Sequence, residues 1–226
     1  MRVPLWFKLA YHIWLLGWLI AAGKSYPYPH LLWLCYLGNI VVGIALWTEN
    51  RLLFSWQCNS LFFIDVLWTF DVVTRAISEW SALLFGQKLF PYNSPLGTGY
   101  MFSPQVDNFL KFMSLFHILM PFLFFWGMYR FGYDRRALWP QLLTVAIVYP
   151  LTYWVSLHFG DVHDNIRDDI NWVFGPFAKP PEDFVPHVRT LIFALIVYPI
   201  FMYIPANFLL TAMFRQPAAR DAKARG

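Results

Sequence analysis

A long apolar run near the middle of the chain constrains the fold more than any other feature of the sequence. Residues 112–129 are apolar except for Ser114 and His117. A helix of about 20 apolar residues spans the hydrocarbon core of a bilayer, so this run predicts a transmembrane helix. An ionisable side chain is costly at that depth, and His117 therefore needs a partner or a function.

The composition of the chain is that of an integral membrane protein. Of its 226 residues, 58% are hydrophobic, 21% are aromatic and 13% are charged, values far from those of a soluble domain. The sequence has no Gly-rich phosphate-binding loop and no CxxC pair, and it carries no nucleic-acid-binding motif. The expected partners are the lipid bilayer and a lipidic substrate. Cys35 and Cys58 both lie in apolar segments and indicate no disulfide framework.

Six apolar segments predict an all-α fold, a bundle of six transmembrane helices. The segments are residues 5–22, 31–48, 52–73, 107–129, 137–159 and 188–210. We interpret the first segment as a retained helix rather than a cleaved signal peptide. The six helices would form one domain, residues 1–214, followed by a basic cytoplasmic tail, residues 215–226. In the connection 74–106, the first half predicts an amphipathic interfacial helix and the second half an ordered loop or lid.

Basic residues predict the orientation of this bundle. With six spans, the N-terminus, the turn 130–136 and the tail 215–226 fall on one side, and each carries Lys or Arg. By the positive-inside rule that side is the cytoplasm, so both termini are predicted to be cytoplasmic. The connection 160–187 falls on the other side and holds six acidic residues against two Lys or Arg. We interpret the chain as a multi-pass protein of the bacterial inner membrane.

The third segment carries an unusual number of polar side chains for a membrane span. They are Gln57, Cys58, Asn59, Asp65, Thr69 and Asp71. Such residues usually face the interior of a bundle. At a rise of 1.5 Å per residue from the outer helix ends, Asp65 lies roughly 12 Å deep and His117 roughly 15 Å, whereas Cys58 lies roughly 22 Å deep.

Two reactive arrangements of these side chains are open, beside a structural one. In the first, His117 deprotonates Cys58, and the thiolate attacks an ester carbonyl to form an acyl-enzyme. In the second, Asp65 orients His117, which acts as a general base, proton relay or ligand. In the structural alternative, Asp65, His117 and Asn59 form a buried hydrogen-bonded cluster that fixes helix packing, and Cys58 is a small apolar residue.

A second candidate site lies at the end of the fifth segment and in the connection after it. Its possible metal ligands are His158, Asp161, His163, Asp164 and Asp168. A mixed set of His and Asp residues suits zinc, manganese or iron. The spacing matches no recognised metal motif, and a solvated acidic loop is the preferred interpretation. The sequence identifies no cofactor.

Three short stretches carry a resemblance to a known protein family. They are Trp-Gln-Cys-Asn at 56–59, Phe-His at 116–117 and the turn at 171–176. In these places the chain resembles six-span bacterial integral membrane proteins with eukaryotic relatives that are cysteine/histidine phospholipid acyltransferases. The resemblance implies that Cys58 is the acyl-accepting nucleophile and that His117 is its base. The turn GYDRRAL at 132–138 looks instead like a separate set of uncharacterised bacterial membrane proteins.

The sequence therefore predicts a membrane protein that transfers or hydrolyses a lipid acyl group at an intramembrane histidine. Two alternatives stand beside this prediction. One is a transporter or binding protein for a small or lipidic molecule. The other is a non-catalytic subunit of a membrane complex.

Overall fold

The described part of the protein is built almost entirely of helices, as the sequence predicts. The structure, a computed structural model, describes residues 3–25, 28–89, 98–159, 162–163, 166–167, 171, 173 and 188–214. The helices are α1 (Leu5–Ser25), α2 (Leu34–Thr48), α3 (Arg51–Phe85), α4 (Asn108–Ser114), α5 (Phe116–Phe131), α6 (Leu138–Phe159), α7 (Val188–Tyr198) and α8 (Ile204–Met213). A π-helical turn (Pro199–Tyr203) joins α7 to α8, and 3₁₀ turns form at Tyr28–Leu32, Thr98–Phe102 and Arg135–Ala137. Two strands, β1 (Val162–His163) and β2 (Ile166–Arg167), pair antiparallel.

Four helical rods are long and apolar enough to cross a membrane. They are Leu5–Lys24, Asn108–Phe131, Arg135–His158 and Val188–Met213. α2 is apolar but has only 15 residues, and α3 has 35 residues but buries many polar side chains. The chain is thus a multi-pass membrane protein, while the count of six spans and the side of each terminus stay predictions. The tail 215–226 lies outside the described residues.

Helix α3 is central to the bundle and longer than the sequence predicts. It packs against α2, α5 and α6. The predicted segment 52–73 continues without a break to Phe85, where Gly86 ends the helix in the left-handed conformation with φ 72°. The helix predicted for the first half of the connection 74–106 is therefore an extension of α3. At 1.5 Å per residue α3 is roughly 52 Å long, more than the 40–45 Å of a bilayer with its headgroups.

Hydrogen bonds lock together one end of the bundle, which we call the turn end because it carries residues 49–50 and 132–137. Lys8 Nζ lies 2.7 Å from Glu49 Oε1, which ties α1 to the C-terminus of α2. The Tyr133 hydroxyl donates to Asn207 Oδ1 at 2.8 Å, and the Arg51 guanidinium donates to the Tyr133 carbonyl. The basic turn of the sequence is therefore a structural junction between α3 and α8.

The opposite end, which we call the loop end, carries the turn Thr98–Phe102 and Asn171. Asn171 is buried there with φ 59°, a conformation that Asn tolerates better than most residues. Its side chain accepts from the Leu34 N–H at 2.9 Å and donates to Thr152 Oγ1 at 3.2 Å. The Thr98 hydroxyl donates to the Asp71 carboxylate. These bonds fix Asn171 between α2 and α6, and Thr98 against α3.

The fourth predicted segment forms one helical rod with an irregular turn at Leu115. α4 ends at Ser114 and α5 begins at Phe116. The Ser114 hydroxyl donates to the Leu110 carbonyl at 3.0 Å, a bond of the kind that often bends helices. His117 lies two residues after this irregular turn, in the first turn of α5.

Candidate functional site

The centre of the candidate site is a buried pair of side chains on α3 and α5. His117 Nδ1 lies 2.6 Å from Asp65 Oδ1, and Asp65 is fully buried. Each residue lies roughly 21 Å of helix from the turn end of its own helix, so the two lie at the same level along the bundle. The structure thus brings together the two residues that the sequence places at similar depth.

Aromatic rings fix the orientation of the His117 imidazole. The ring centroid of Trp68 lies 4.7 Å from that of His117 with an interplanar angle of 31°. The centroid of Phe116 lies 3.9 Å away at 32°. When Nδ1 donates its hydrogen to the Asp65 carboxylate, Nε2 keeps a free lone pair. That arrangement makes Nε2 the basic atom of the site.

The main chain of His117 is also held by α3. Pro121 has no N–H, so it cannot donate the helical hydrogen bond to the carbonyl four residues earlier, which is that of His117. The Thr69 hydroxyl donates to this carbonyl at 3.2 Å. Hydroxyl side chains commonly satisfy the backbone groups that proline frees inside membrane helices. Asp65 and Thr69, one helical turn apart, therefore hold the side chain and the main chain of the same histidine.

Replacing Thr69 with valine should destabilise the protein by about 1–3 kcal/mol, because the His117 carbonyl is left buried without a donor. The measurement is reversible unfolding of purified protein in mixed micelles titrated with a denaturing detergent. In a Pro121→Ala background the new amide can donate to that carbonyl. We expect the cost of Thr69→Val to fall there to about 0.5 kcal/mol or less.

Thr74→Val is the matched control for this substitution. The Thr74 hydroxyl donates at 2.6 Å to the Phe70 carbonyl, which α3 already supplies with a helical donor. Its loss should change the free energy of unfolding by no more than about 0.5 kcal/mol, as for other surface substitutions. Two results would show that Pro121 and Thr69 are not coupled. One is an equal loss of unfolding free energy in Thr69→Val and Thr74→Val, and the other is a loss in Thr69→Val that Pro121→Ala does not change.

His117 lines a cavity of about 290 Å³ towards the loop end of the bundle. Its walls come from α1 to α6, from the turn Thr98–Phe102 and from Asn171. Most of the lining is aromatic or aliphatic, including Trp18, Trp33, Tyr36, Trp68, Tyr100 and Phe116. An apolar cavity with a few convergent polar groups is the usual form of a small-molecule site.

Several buried polar atoms on α2 and α3 have no hydrogen-bond partner within the part of the chain that the structure describes. They include Asp65 Oδ2, Asn39 Nδ2 and both amide atoms of Asn59. The Tyr11 hydroxyl donates to the Asn39 carbonyl at 3.0 Å. An unpaired polar atom in a membrane interior is costly, but Asn39, Asn59 and Asp65 do not line the cavity beside His117.

The structure does not join Cys58 to the histidine. Cys58 is buried on α3, but no hydrogen bond links it to His117 among the described residues. It also does not line the cavity that His117 lines. The other thiol, Cys35, does line this cavity, although the sequence reasoning assigned it no role.

The proposed metal site is placed only in part. The His158 side chain is exposed, stacks on Trp154 with centroids 4.8 Å apart and donates from Nδ1 to the Trp154 carbonyl at 2.7 Å. Asp161, Asp164 and Asp168 lie outside the described residues, as does the side chain of His163. Within the described ranges, no three His, Cys, Asp or Glu residues are grouped so that they could hold a metal ion.

No role was assigned from the sequence to several polar residues of the cavity wall, among them His30 and Tyr149. Tyr149 lines the cavity, and its hydroxyl lies 3.0 Å from that of Tyr203 on the π-helical turn. Asn171 was identified only as part of a turn, yet it lines the cavity beside α2. The available signals were a tyrosine one residue before Pro150 and an asparagine in an acidic connection, and neither is specific.

Comparison with models of known protein families, with curated proteins and with solved structures finds no match to this chain. The chemistry of the site is therefore inferred from its geometry. That geometry is a buried carboxylate–imidazole pair with a basic nitrogen beside an apolar cavity.

Proposed function

We propose that this protein is a membrane enzyme that transfers or hydrolyses an acyl group of a lipid, with His117 as the general base. The observation that carries the proposal is the buried contact of 2.6 Å between Asp65 Oδ1 and His117 Nδ1 beside the cavity. Six spans, cytoplasmic termini and a bacterial inner membrane belong to the same proposal. They are supported by the four apolar rods and by the arginines at the turn end.

The proposed reaction is attack on an ester carbonyl by water or by the hydroxyl of an acceptor. His117 Nε2 takes the proton of the attacking O–H group while the new C–O bond forms. The imidazolium then returns this proton to the leaving alkoxide as the ester C–O bond breaks, which restores the base. Asp65 accepts the Nδ1 hydrogen throughout, so it keeps the imidazole in one tautomer and stabilises its charged form.

A lipidic substrate is supported by the walls of the cavity. The lining is mainly aromatic and aliphatic. A volume of about 290 Å³ is at the lower limit of small-molecule sites, which suits the reacting part of a lipid rather than the whole molecule.

An acyl-enzyme on Cys58, as the family resemblance implies, is a variant of this proposal with the same base. It requires Cys58 Sγ to reach His117, and no hydrogen bond joins the two side chains among the described residues. Direct attack by an acceptor hydroxyl needs no such movement. We therefore propose direct attack as the first mechanism to test.

The experiment is lipid analysis of the purified protein in vesicles. The vesicles contain phosphatidylethanolamine and phosphatidylglycerol, one of them with isotopically labelled acyl chains. We expect labelled free fatty acid or a newly acylated lipid with the wild-type protein, detected by mass spectrometry, and neither product with the His117→Gln variant.

A proton-coupled transporter is the second candidate, because the cavity lies beside an irregular part of the bundle. The π-helical turn Pro199–Tyr203 contacts the cavity wall through the Tyr203–Tyr149 hydroxyl pair, and π-helical turns are frequent at functional sites. Unchanged lipids, together with dissipation of an imposed pH gradient by the wild type but not by His117→Gln, would overturn the enzyme and support transport.

A further inference from the structure

A second, separate concavity lies on the surface between α1 and α5, towards the turn end. We call it the α1–α5 groove, and its volume is about 570 Å³. The two helices run antiparallel along it, since Phe7 packs on Trp126 with centroids 5.0 Å apart and Trp14 packs on Phe116 at 6.2 Å. Large apolar side chains beside it remain exposed, with Trp6, Leu119 and Phe122 each more than 60% accessible. In a membrane protein, such a surface faces lipid chains.

Among the described residues that line the α1–α5 groove, one is charged, and it lies at the groove's end. This residue is Arg130, whose guanidinium carbon lies 5.6 Å from the centroid of the Trp126 ring. Every other lining residue is apolar except Tyr11, whose hydroxyl donates to the Asn39 carbonyl at 3.0 Å. The groove therefore combines a long apolar wall with a single cationic end. This arrangement is complementary to a molecule with an apolar chain and an anionic headgroup.

The length of the groove fits an acyl chain. From Phe116 to Arg130, α5 rises roughly 21 Å, which exceeds the roughly 15 Å of one leaflet of the hydrocarbon core. A lipid with its headgroup at Arg130 can lay a whole chain along Trp126, Leu123 and Leu119. The long stem of an arginine near a helix end can also extend its charge to the headgroup level.

The electrostatics of the turn end favour an anionic headgroup. The described residues there are five basic and two acidic, namely Lys8, Arg51, Arg130, Arg135 and Arg136 against Glu49 and Asp134. Both carboxylates are already paired, because Glu49 binds Lys8 and Asp134 binds Arg136, each at 2.7 Å. The hydrogen bond from Arg136 also holds the pKa of the Asp134 carboxyl below its ordinary value, so the negative charge of Asp134 stays paired with Arg136. The end of the groove is thus positive, and basic sites between membrane helices bind anionic lipid headgroups.

We propose that the α1–α5 groove binds an anionic phospholipid, with its phosphate at Arg130 and one acyl chain along α5. This site is distinct from the His117 cavity, although Phe116 contributes to the walls of both. The proposal does not depend on the enzymatic function. It holds equally if the protein is a transporter or a subunit of a complex.

The test is competitive lipid retention. Purified protein in detergent is mixed with equal amounts of phosphatidylglycerol and phosphatidylcholine that have identical chains. It is then separated from free lipid by size exclusion, and the bound lipids are quantified by mass spectrometry. We expect the wild type to retain phosphatidylglycerol about fivefold over phosphatidylcholine, the factor equivalent to about 1 kcal/mol per basic residue.

Three variants assign this preference to the groove. Arg130→Gln should abolish the preference for phosphatidylglycerol, whereas Arg130→Lys should keep most of it. The Arg130→Lys protein also shows that the chain folds when this position is changed. Arg135→Gln removes the same charge from an exposed side chain outside the groove and should leave the preference unchanged. Leu119→Trp fills the groove and should reduce the retention of both lipids.

Four outcomes would overturn the proposal. The first is equal retention of the two lipids by the wild type. The second is an equal loss in Arg130→Gln and Arg135→Gln, which would indicate diffuse attraction to the whole turn end. The third is binding of glycerol phosphate as tight as that of the lipid, which would indicate a phosphate site without a chain. The fourth is disulfide cross-linking of two Leu119→Cys chains, which would place a second copy in the groove.

Discussion

The His117→Gln variant should lose acyl turnover by about 10²–10⁴-fold, the usual contribution of a general acid–base group. Glutamine can still hydrogen-bond to Asp65, but it has no basic nitrogen to take the proton of the attacking hydroxyl.

Asp65 acts through His117, and so its substitution should have a different kinetic effect. Asp65→Asn should lower kcat by a similar order while KM changes little, since substrate contacts remain and the imidazole loses its acceptor. Initial rates with labelled phospholipid in mixed micelles give both constants.

The Cys58→Ala variant distinguishes direct attack by a hydroxyl from an acyl-enzyme mechanism. If His117 activates a hydroxyl directly, this variant should retain turnover to within a few-fold, because Cys58 does not line the cavity. Loss of turnover equal to that of His117→Gln, with a labelled acyl group trapped on the wild-type chain, would instead establish the acyl-enzyme. An Asp65→Asn variant that raises KM without lowering kcat would refute the positioning role.

Gly127→Ala should destabilise the protein by about 1–3 kcal/mol despite the higher helix propensity of alanine. A Cβ atom at Gly127 would lie 2.0 Å from Phe54 Cε1, far inside van der Waals contact. The Phe54 ring is fully buried and is confined by Phe124 and Phe131, whose centroids lie 5.9 Å and 5.6 Å away. The ring therefore cannot move aside, and α3 and α5 must separate. Detergent-denaturation curves give the change in the free energy of unfolding.

The matched control is Gly17→Ala on α1, where no atom lies within 4 Å of the added Cβ. This substitution should stabilise the protein by about 0.5–1 kcal/mol, because glycine is a poor helix former. The two glycine substitutions should therefore act with opposite signs. Replacing Phe54 with leucine should recover part of the loss in Gly127→Ala, and failure of this rescue would mean that the close approach of α3 and α5 is not the cause.

The helices could largely be predicted from the sequence, because apolar runs and polar connections alternate along it. The starts of α6 and α7 lie within one residue of the predicted segments. The irregular turn at Leu115 could not be predicted, since neither proline nor glycine marks it and the Ser114 bond acts within one turn. The continuation of α3 to Phe85 could not be predicted either. The part of α3 after residue 73 has amphipathic character, and the sequence gives no signal that distinguishes a new helix from an extension of α3.

The central pair of the candidate site was predictable for a simple geometric reason. Depth along a helix depends only on residue number, so Asp65 and His117 could be matched across two spans before their contact was known. The remaining cavity residues come from distant parts of the chain, as with Cys35 and Tyr149. No local pattern connects them. The bond between Thr69 and the His117 carbonyl depends on what Pro121 removes from another helix, which the sequence of α3 alone does not reveal.

The double attachment of His117 limits how α5 can move relative to α3. Asp65 holds its side chain and Thr69 holds its main chain, so the first turn of α5 is fastened to α3 at two points. A sliding movement of α5 along α3 would have to break both bonds. Because one bond ends on the imidazole and the other on the carbonyl, a substitution at either Asp65 or Thr69 leaves the second attachment in place.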